Sequence, residues 1–349
     1  MTNLYTNNMF KPSYDLSKTL LNHLTQIERL YGQLEALKIP QKLELNLERD
    51  NLIQSAYVSN SIEGNPLSHR EVTNLLLSDR VAVNRDEKEV TNYFSILKSM
   101  PDFKAKSIDI TLMNLFHKNL LTGVENKIAG QIRDKRVVVG KYLSKERSIS
   151  SLEVKHEPPH HTPARITHTL DELFNWLVTE KEIPVVVKVG IFHHHFVFIH
   201  PYIDGNGRVC RLLSALLFLQ NNYQINKYFV LDDYYDIDRY LYSDKLHTAD
   251  KGDKTEWLEY FAEGVNFSLQ AALSRVEDTL YKLKIEDRPT KKEKQVLEMI
   301  EKQPEIISHD VVLKLKISRQ QAHNLLSSLV SKGFLEKLGK TKNSFYRLK

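Results

Sequence analysis

The sequence contains a single cysteine, Cys210, among 349 residues. One thiol cannot form an intramolecular disulfide, so a disulfide-stabilised secreted fold is excluded and a reducing compartment is favoured. Residues 1–18 also lack a basic stretch followed by an apolar one, which argues against a secretory signal. From these absences we expect a cytoplasmic protein.

No long uninterrupted apolar run is present either. The most apolar stretch, 183–199, contains Lys188 and three consecutive histidines, and it is too short to be a good membrane span. A short helix that is apolar on all sides is typical of a protein core. We therefore expect a buried helix here and no membrane anchor.

Glycine and proline are scarce, with 12 and 11 residues respectively. Long segments instead repeat apolar residues with a period of about 3.6, which predicts a mostly helical protein. The exception is 130–155, where an RVVV run and Gly140 predict a short β-hairpin. We expect helices near 15–37, 46–63, 69–78, 85–99, 108–120, 168–179, 184–199, 207–221, 236–247 and 254–285.

Positive charge is concentrated near the C-terminal end. Residues 290–349 contain 13 Lys and Arg against 6 Asp and Glu, a net charge of +7, whereas the remainder carries −2. Pro289 ends the preceding helix, and Thr290 with Glu293 has the spacing of a capping box that opens a new one. Three compact helices and a strand pair follow, a pattern that resembles a winged helix-turn-helix domain.

The use of this region is left open between two alternatives. A DNA-binding winged helix would place the start of its third helix in the major groove. The side chains in question are Arg319, Gln320, His323 and Asn324 near the bases and Lys337, Lys340 and Lys342 on phosphates. A net charge of +7 supports phosphate attraction but does not establish sequence specificity. The alternative is a protein-interaction or dimerisation module with a solvated basic face.

Residues 199–211, IHPYIDGNGRVCR, have the features of a phosphate site. A phosphate needs hydrogen-bond donors and positive charge, and a glycine-rich turn at a helix N-terminus supplies both. Gly205-Asn206-Gly207 lies at such a turn. Arg208 and Arg211 project from neighbouring positions of the following helix and can face the same anion.

Two further side chains of this stretch complete a reaction centre. Asp204 offers a hard oxygen ligand suited to Mg²⁺. His200 is a candidate general base, because imidazole titrates near neutrality. The combination predicts phosphoryl or nucleotidyl transfer.

The stretch resembles the Fic family signature HPFx[D/E]GNGRxxR, with Tyr202 where the family usually has Phe. The matching positions are His200, Pro201, Tyr202, Asp204, Gly205, Asn206, Gly207, Arg208 and Arg211. The resemblance extends over roughly residues 50–265. It implies a mainly α, Fic-type helical bundle with a small β-hairpin flap, and transfer of AMP from ATP to a protein hydroxyl. If Tyr202 packs inward, its hydroxyl needs a partner or a water.

The resemblance also implies a domain organisation. An N-terminal helical region would cover 1–105 and include an inhibitory helix at about 46–64. The Fic catalytic core would cover 106–285, with its flap at 130–160. A winged helix-turn-helix domain would follow at 290–349.

Carried over from the family, roles can be assigned residue by residue. His200 would deprotonate the target hydroxyl, and Asp204 would hold Mg²⁺ between the α- and β-phosphates. The backbone at Gly205 and Gly207, with the Asn206 side chain, would stabilise charge on the transferred group. Arg208 would bind the β-phosphate and Arg211 the γ-phosphate. Tyr242 is a candidate for adenine contact.

Residues 59–66, SNSIEGNP, resemble the inhibitory helix signature of the same family. Ser59 and Glu63 are four positions apart and face one direction, and Gly64 follows the acid and ends the helix. By this resemblance Glu63 would pair with Arg211, occupy the γ-phosphate position and keep the enzyme switched off. Alternatively, Glu63 would orient a water that removes AMP from a modified protein.

The other histidines and the cysteine are given structural interpretations. Consecutive histidines at 193–195 point in different directions on a helix, which disfavours a zinc site. His156, His160 and His161 lie beside prolines and are expected to be solvated loop residues. Cys210 has no base paired with it in the sequence and is expected to pack inside the helix.

Two hypotheses follow. The first is a Mg²⁺-dependent, self-inhibited protein adenylyltransferase that uses ATP on a Ser, Thr or Tyr hydroxyl of a target protein and of itself. The second is a DNA-binding regulator whose Fic-like domain senses nucleotide with little turnover. A target segment could join the edge of the 130–155 hairpin by strand addition. A homodimer through the N-terminal helices is possible under either hypothesis.

Overall fold

A computed structural model describes residues 10–78, 80–142, 152–225, 227–286, 289–303, 305–339 and 344–349. It divides into two compact units, residues 1–273 and 274–349. The tip of the expected flap, 143–151, and the expected phosphate contacts Lys340 and Lys342 lie outside the described residues.

The described chain is mainly helical, with two small antiparallel sheets, which confirms the expected fold class. The helices are α1 (Lys18–Ala36), α2 (Gln41–Ile62), α3 (His69–Leu77), α4 (Arg85–Ser99), α5 (Ile110–Leu121), α6 (Pro163–Thr179), α7 (Val185–Ile199), α8 (Asn206–Gln220), α9 (Asp232–Ile237), α10 (Arg239–Thr248), α11 (Thr255–Glu286), α12 (Lys291–Lys302), α13 (Ser308–Leu315) and α14 (Arg319–Ser331). The strands are β1 (Val139–Tyr142), β2 (Leu152–His156), β3 (Leu335–Leu338) and β4 (Phe345–Leu348).

Three expected helix boundaries were wrong. Helix α2 begins at Gln41, directly after Pro40, instead of at 46. Helix α6 begins at Pro163 instead of 168, because proline at the first helical position loses no intrahelical hydrogen bond. The single helix expected over 236–247 is two helices, α9 and α10. Asp238 between them is extended, and its side chain caps α10 by accepting from the backbone N–H groups of Tyr240 and Leu241.

Helices α7 and α8 pack against each other in the centre of the first unit. Helix α7 is buried on all sides, as its composition predicts. Gly190 allows α11 to pack closely, because a Cβ there would lie 2.8 Å from a methyl carbon of Leu258. The Trp257 indole N–H donates to the Gly190 carbonyl at 2.8 Å. In the described part of the chain, no helix is long and apolar enough to cross a membrane.

Strands β1 and β2 pair antiparallel and form the expected hairpin. The register shifts between Val139 and Gly140. A side chain at Gly140 would collide with the carbonyl oxygen of Glu153 on β2, so the close approach of the two strands requires glycine. We call this hairpin the flap.

The second unit contains α12, α13 and α14, followed by the β3–β4 pair. Both expected capping boxes are present, Thr290 with Glu293 and Ser318 with Gln321. Gly333, at φ +79°, follows the end of α14. The core of this unit consists of Val296, Ile300, Ile306, Val311, Ala322, Leu326, Leu329, Leu335 and Tyr346.

Candidate active site

The turn between α7 and α8 places His200 in an unusual backbone conformation. Its φ of 50° and ψ of 63° lie in the left-handed region, which a side chain with a Cβ occupies at a cost of about 1–3 kcal/mol. The Gly205 residue at the other end of the turn has φ +80° and caps α8. The chain therefore passes from the C-cap of α7 at His200 to the N-cap of α8 at Gly205 through a short turn with a left-handed residue at each end.

The side chain of Asn206 holds this turn closed. Its oxygen accepts from the Tyr202 N–H and its NH₂ group donates to the Tyr202 carbonyl, both at 2.9 Å. Tyr202 is fully buried, and its hydroxyl finds the expected partner by donating to Asn114 at 2.8 Å. Because both ends of the Asn206 amide are used in the turn, its contact with a phosphate stays a prediction that this geometry does not favour.

Arg133 supports the strained His200 backbone, a role that was not predicted from the sequence. Arg133 is 2% exposed. Its guanidinium donates to the carbonyl oxygen of His200 at 2.7 Å and to the carbonyl oxygen of His160 at 2.6 Å. Its own N–H donates to the Pro201 carbonyl at 2.9 Å. Nothing in the spacing of 130–136 distinguishes this arginine from a surface cation, because its acceptors are backbone atoms distant in sequence.

The imidazole of His200 is arranged to accept a proton. Its Nδ1 lies 3.3 Å from the Val197 carbonyl, which can only accept, so the ring proton is assigned to Nδ1 and Nε2 keeps its lone pair. Burial lowers the pKa of His200 to about 4, and the nearby His156 and Arg133 add to this effect. The ring is therefore neutral at pH 7.

A cradle of donors lies beside this imidazole. Gly205 caps α8 and Gly207 lies in its first turn, where backbone N–H groups and the helix dipole favour an anion, although the Gly205 N–H itself donates to Asp204. Arg208 is 3% exposed, and its two nearest carboxylates, Glu89 and Asp204, are 3.4 and 3.5 Å from guanidinium nitrogens. Among the described residues, its Nε and Nη1 have no hydrogen-bond partner. Buried donors without acceptors are what an anion-binding site provides.

Asp204 stands at the entrance of this cradle with a side chain that is 41% exposed. One carboxylate oxygen accepts from the Gly205 N–H at 2.6 Å, and the other is 3.8 Å from Arg85. The Asp204 backbone carbonyl accepts from His117, whose Nδ1 in turn accepts from the Gly130 N–H. The carboxylate is thus oriented by its surroundings and retains lone pairs directed to solvent.

Arg211 is held by the end of α2. Its guanidinium donates from Nε to the Ser59 hydroxyl at 2.6 Å and from Nη2 to the Ser59 carbonyl at 2.9 Å. The same Nη2 donates to Glu63 Oε1 at 2.7 Å, with the Arg211 side chain 2% exposed and that of Glu63 32% exposed. Gly64, at φ +90°, ends the helix immediately after the acid. The structure therefore brings Ser59 and Glu63 of one sequence motif into contact with Arg211 of the other.

The carboxylate of Glu63 lies against the first turn of α8. A Cβ on Gly207 would collide with its Oε1, so only glycine at 207 lets the carboxylate approach the helix N-terminus. Burial raises the pKa of Glu63, but the charges of Arg211 and Arg208 outweigh it, and the pKa is lowered overall. The carboxylate is ionised and lies where an anionic ligand of the cradle would lie.

Asp232 and Arg239 also contact this arrangement, and no role was predicted for either of them from the sequence. Burial raises the pKa of Asp232 to about 6, although the nearby Arg211 charge lowers it. Arg239 donates to the carbonyl and the hydroxyl of Ser61, at 2.5 and 2.7 Å, and so fixes the end of α2 from α10.

Tyr242 lies in the core. Its side chain is 7% exposed, its hydroxyl is 2.8 Å from His193 Nε2, and its ring stacks on Tyr235 with centroids 4.3 Å apart. Because both the edge and the face of the ring are used within the protein, adenine contact stays a prediction that this geometry does not favour.

The remaining histidines differ in how deeply they are buried. His193 and His194 are buried, with hydrogen bonds to separate partners, and His161 is exposed as expected. The expectation for His156 was wrong, because it ends strand β2 and its side chain is only 3% exposed. Cys210 is fully buried, as expected, and burial raises the pKa of its thiol, which disfavours a nucleophilic role.

The segment that forms this site is similar to a known protein family. Residues 107–218 match the model of the Fic/DOC family. The matched segment includes the whole 200–211 motif. Over these residues the chain is similar to the Fic/DOC family.

Curated relatives extend the similarity beyond this domain. The chain is 28% identical over 266 residues to Protein adenylyltransferase Fic of Culex quinquefasciatus, covering 70% of this chain and 47% of that protein. It is 25% identical over 233 residues to Protein adenylyltransferase fic-1 of Caenorhabditis elegans, covering 64% and 41%. The chain spans about half the length of the curated relatives it matches.

Solved structures support the fold. A Fic family protein from Desulfovibrio desulfuricans G20 superposes with a TM-score of 0.68 at 24% identity, covering 97% of this chain and 98% of that one. Fic-1 from C. elegans gives a TM-score of 0.58 at 24% identity, covering 73% and 71%. At this level of identity the likeness shows the fold alone.

Proposed function

We propose that the protein transfers AMP from ATP to the hydroxyl of a Ser, Thr or Tyr side chain on a target protein, and on itself, with release of pyrophosphate. One observation carries the proposal: a neutral His200 imidazole precedes the N-terminus of α8, in whose first turn the buried Arg208 has two guanidinium nitrogens without a hydrogen-bond partner among the described residues. A base beside a phosphate cradle is the minimum that nucleotidyl transfer to an alcohol requires. The names of the curated relatives agree with this reaction.

The proposed transfer is a displacement at the α-phosphorus of ATP. Nε2 of His200 takes the proton of the acceptor hydroxyl, whose oxygen attacks the α-phosphorus of ATP. The bond from this phosphorus to the bridging oxygen breaks, and pyrophosphate leaves with the bonding electrons. The backbone N–H of Gly207, with the guanidinium of Arg208, binds the negative charge of the phosphates, and the Gly205 N–H joins them only if it releases Asp204.

Asp204 fits a magnesium ion in this scheme. Mg²⁺ is usually held by one or two carboxylates together with substrate phosphates and water. The Asp204 carboxylate is partly exposed at the mouth of the cradle and is oriented by Gly205. When bound, the ion would neutralise phosphate charge. The lone pairs of Asp204 that point to solvent would hold it.

The proposed enzyme is inhibited by its own α2 helix. Arg211 is the second arginine of the cradle, and its Nη2 is engaged by Glu63 at 2.7 Å. A triphosphate that used Arg211 for its γ-phosphate would have to displace a carboxylate of the same charge. We therefore propose that Glu63 holds the site in a low-activity state, with Ser59 fixing Arg211 in reach of it.

Incorporation of label from α-labelled ATP tests the proposal. Wild type, Glu63→Gly, and Glu63→Gly combined with His200→Ala are compared in Mg²⁺, with Glu48→Gln on the same helix α2 as a matched control. We expect label to enter the Glu63→Gly protein and a cell lysate, and to vanish when His200→Ala is added. Equal labelling with and without His200 would refute the assignment. Release of AMP from the labelled protein by wild type, but not by Glu63→Gln, would indicate removal as the physiological direction.

A second candidate function concerns the C-terminal unit. Arg319, Gln320, His323 and Asn324 are all exposed on the first two turns of α14, and Lys337 follows on β3. This exposure favours DNA binding through α14, for which the salt dependence of binding to mixed duplex DNA is the test. Arg319→Ala should weaken binding about tenfold or more, by analogy with other base contacts. Binding that is equal for both proteins would leave the interaction-module alternative.

A further inference from the structure

A cluster of two imidazoles and a carboxylate lies at the base of the flap, outside the residues assigned above. His156 ends strand β2, His247 lies near the end of α10, and Asp250 follows in a short 3-10 turn. One nitrogen or oxygen atom from each side chain lies within 4.8 Å of the other two. The side chains are 3%, 11% and 18% exposed respectively. Three potential ligands therefore converge in a nearly buried place that three separate elements form.

The hydrogen bonds of His156 leave one ring nitrogen facing a negative oxygen. Its Nε2 lies 2.8 Å from the carbonyl of Phe198, which can only accept, so Nε2 carries a hydrogen. Its Nδ1 lies 2.8 Å from Oδ2 of Asp250. With a hydrogen on Nε2, Nδ1 is the nitrogen that can coordinate a cation, and either a cation or a second proton would satisfy its contact with the carboxylate. The Nδ1 of His247 is 3.0 Å from the same oxygen.

The groups around the cluster orient it as the surroundings of metal ligands usually do. Asp250 Oδ1 is held at 2.9 Å by Nε2 of His194, and the Nδ1 of that ring accepts from the ammonium of Lys254 at 2.9 Å. The Phe198 carbonyl fixes the tautomer of His156. Metal-bound imidazoles and carboxylates characteristically have such outer hydrogen bonds, which set the tautomer and leave the ligand atom free.

We propose that His156 Nδ1, His247 Nδ1 and Asp250 Oδ2 form a binding site for one zinc-class transition-metal ion. Two imidazole nitrogens and one carboxylate oxygen are a typical three-residue ligand set for Zn²⁺, with a fourth position for water. The partial exposure of Asp250 and His247 provides access for that water. Magnesium and calcium are disfavoured because they select oxygen ligands.

The geometry requires a small adjustment on binding. Ligand atoms about 2.1 Å from a tetrahedral ion are about 3.4 Å apart. The present nitrogen to oxygen separations are 2.8 and 3.0 Å, so they would widen by about half an ångström. A bound ion would tie strand β2 of the flap to α10. Because His156 also lies close enough to His200 to act on it electrostatically, metal occupancy would be felt at the catalytic base.

Zn²⁺ titration of the full chain, purified without a histidine tag and freed of metal, tests the site. No nucleotide is present, so the result does not depend on the proposed reaction. We expect one ion per chain with a dissociation constant below about 1 μM, on the order of 8 kcal/mol of binding. His247→Ala and Asp250→Asn should each weaken binding tenfold or more. His168→Ala, which removes an exposed histidine 3.6 Å from Glu172, should change nothing.

X-ray absorption at the zinc edge of the wild type provides a readout that needs no folded variant. We expect a four-coordinate ion with two imidazole ligands and with zinc–nitrogen and zinc–oxygen distances of about 2.0–2.1 Å. Weak binding with several ions per chain, or a single site unaffected by both His247→Ala and Asp250→Asn in folded protein, would overturn the proposal. A proton in place of the metal would then explain the His156 contact.

Discussion

Replacement of Glu63 by glycine is the most informative perturbation of the proposed site. The substitution removes the carboxylate that Arg211 binds at 2.7 Å, while both hydrogen bonds from Arg211 to Ser59 remain. A charge-assisted hydrogen bond contributes about 1.5–3 kcal/mol. Because the Glu63 side chain is 32% exposed, solvent screening favours the lower end of that range.

This free energy sets the expected change in rate. If a triphosphate must displace Glu63 before it can react, loss of about 1.5–3 kcal/mol of competition raises the labelling rate about 10- to 150-fold, with the lower end of this range expected. The assay is the initial rate of self-labelling by α-labelled ATP at subsaturating concentration, with Glu48→Gln as the matched control.

A second measurement separates inhibition from general damage. Without nucleotide, Glu63→Gly should unfold a few degrees lower than wild type, because a buried guanidinium loses its counter-charge. ATP with Mg²⁺ should raise the unfolding temperature of the variant more than that of wild type, since the phosphate takes the vacated place. A variant that is destabilised but labels no faster than wild type, and gains no more from ATP, would refute the reasoning.

Three further predictions concern the histidines and the arginine that supports the turn. In the Glu63→Gly background, labelling should persist down to about pH 5 and fall by half at or below about pH 4, because desolvation lowers the pKa of His200 to about 4 and loss of the Glu63 charge lowers it further. A fall centred near pH 6.5 would contradict this assignment. The pKa of His193 is about 3, so the unfolded chain takes up a proton below about pH 6.5 that the folded one refuses. His193 alone should therefore contribute a drop in stability of up to about 1.4 kcal/mol per pH unit from pH 6.5 towards 3. His193→Asn, followed by urea unfolding at each pH, should flatten that slope, and an unchanged slope would argue against it. Arg133→Lys should lower kcat tenfold or more with little change in KM, since it releases the His200 backbone, and it should have no effect when His200→Ala is already present.

Much of the local structure could be predicted because it depends on neighbouring residues. The capping boxes at Thr290 and Ser318, and the glycine ends of α2 and α14, use contacts within a few positions of the chain. Apolar periodicity predicted most helices within a few residues of their bounds. The single helix predicted over 236–247 was wrong, because Asp238 ends α9 and caps α10 although the apolar residues continue with the helical period.

The site could be predicted only where its residues lie in motifs. Residues 200–211 are consecutive, so their types and order carried the phosphate-binding prediction. Arg133, Asp232 and Arg239 had no such signal, because each acts on atoms that lie far away in the sequence. The predicted contacts of Asn206 and Tyr242 with a ligand illustrate the same limit, since polar partners inside the protein use both side chains.

By itself the sequence determined the helical class, the glycine turn with its histidine and arginines, and the acid that ends α2, because these depend on residue type and short spacing. Only the tertiary structure decided that Glu63 reaches Arg211, that Arg133 holds His200 in a left-handed conformation, and that His156 is buried with His247 and Asp250. Such contacts join residues up to 148 positions apart. Their geometry follows from how whole helices pack, which no local pattern of residues specifies.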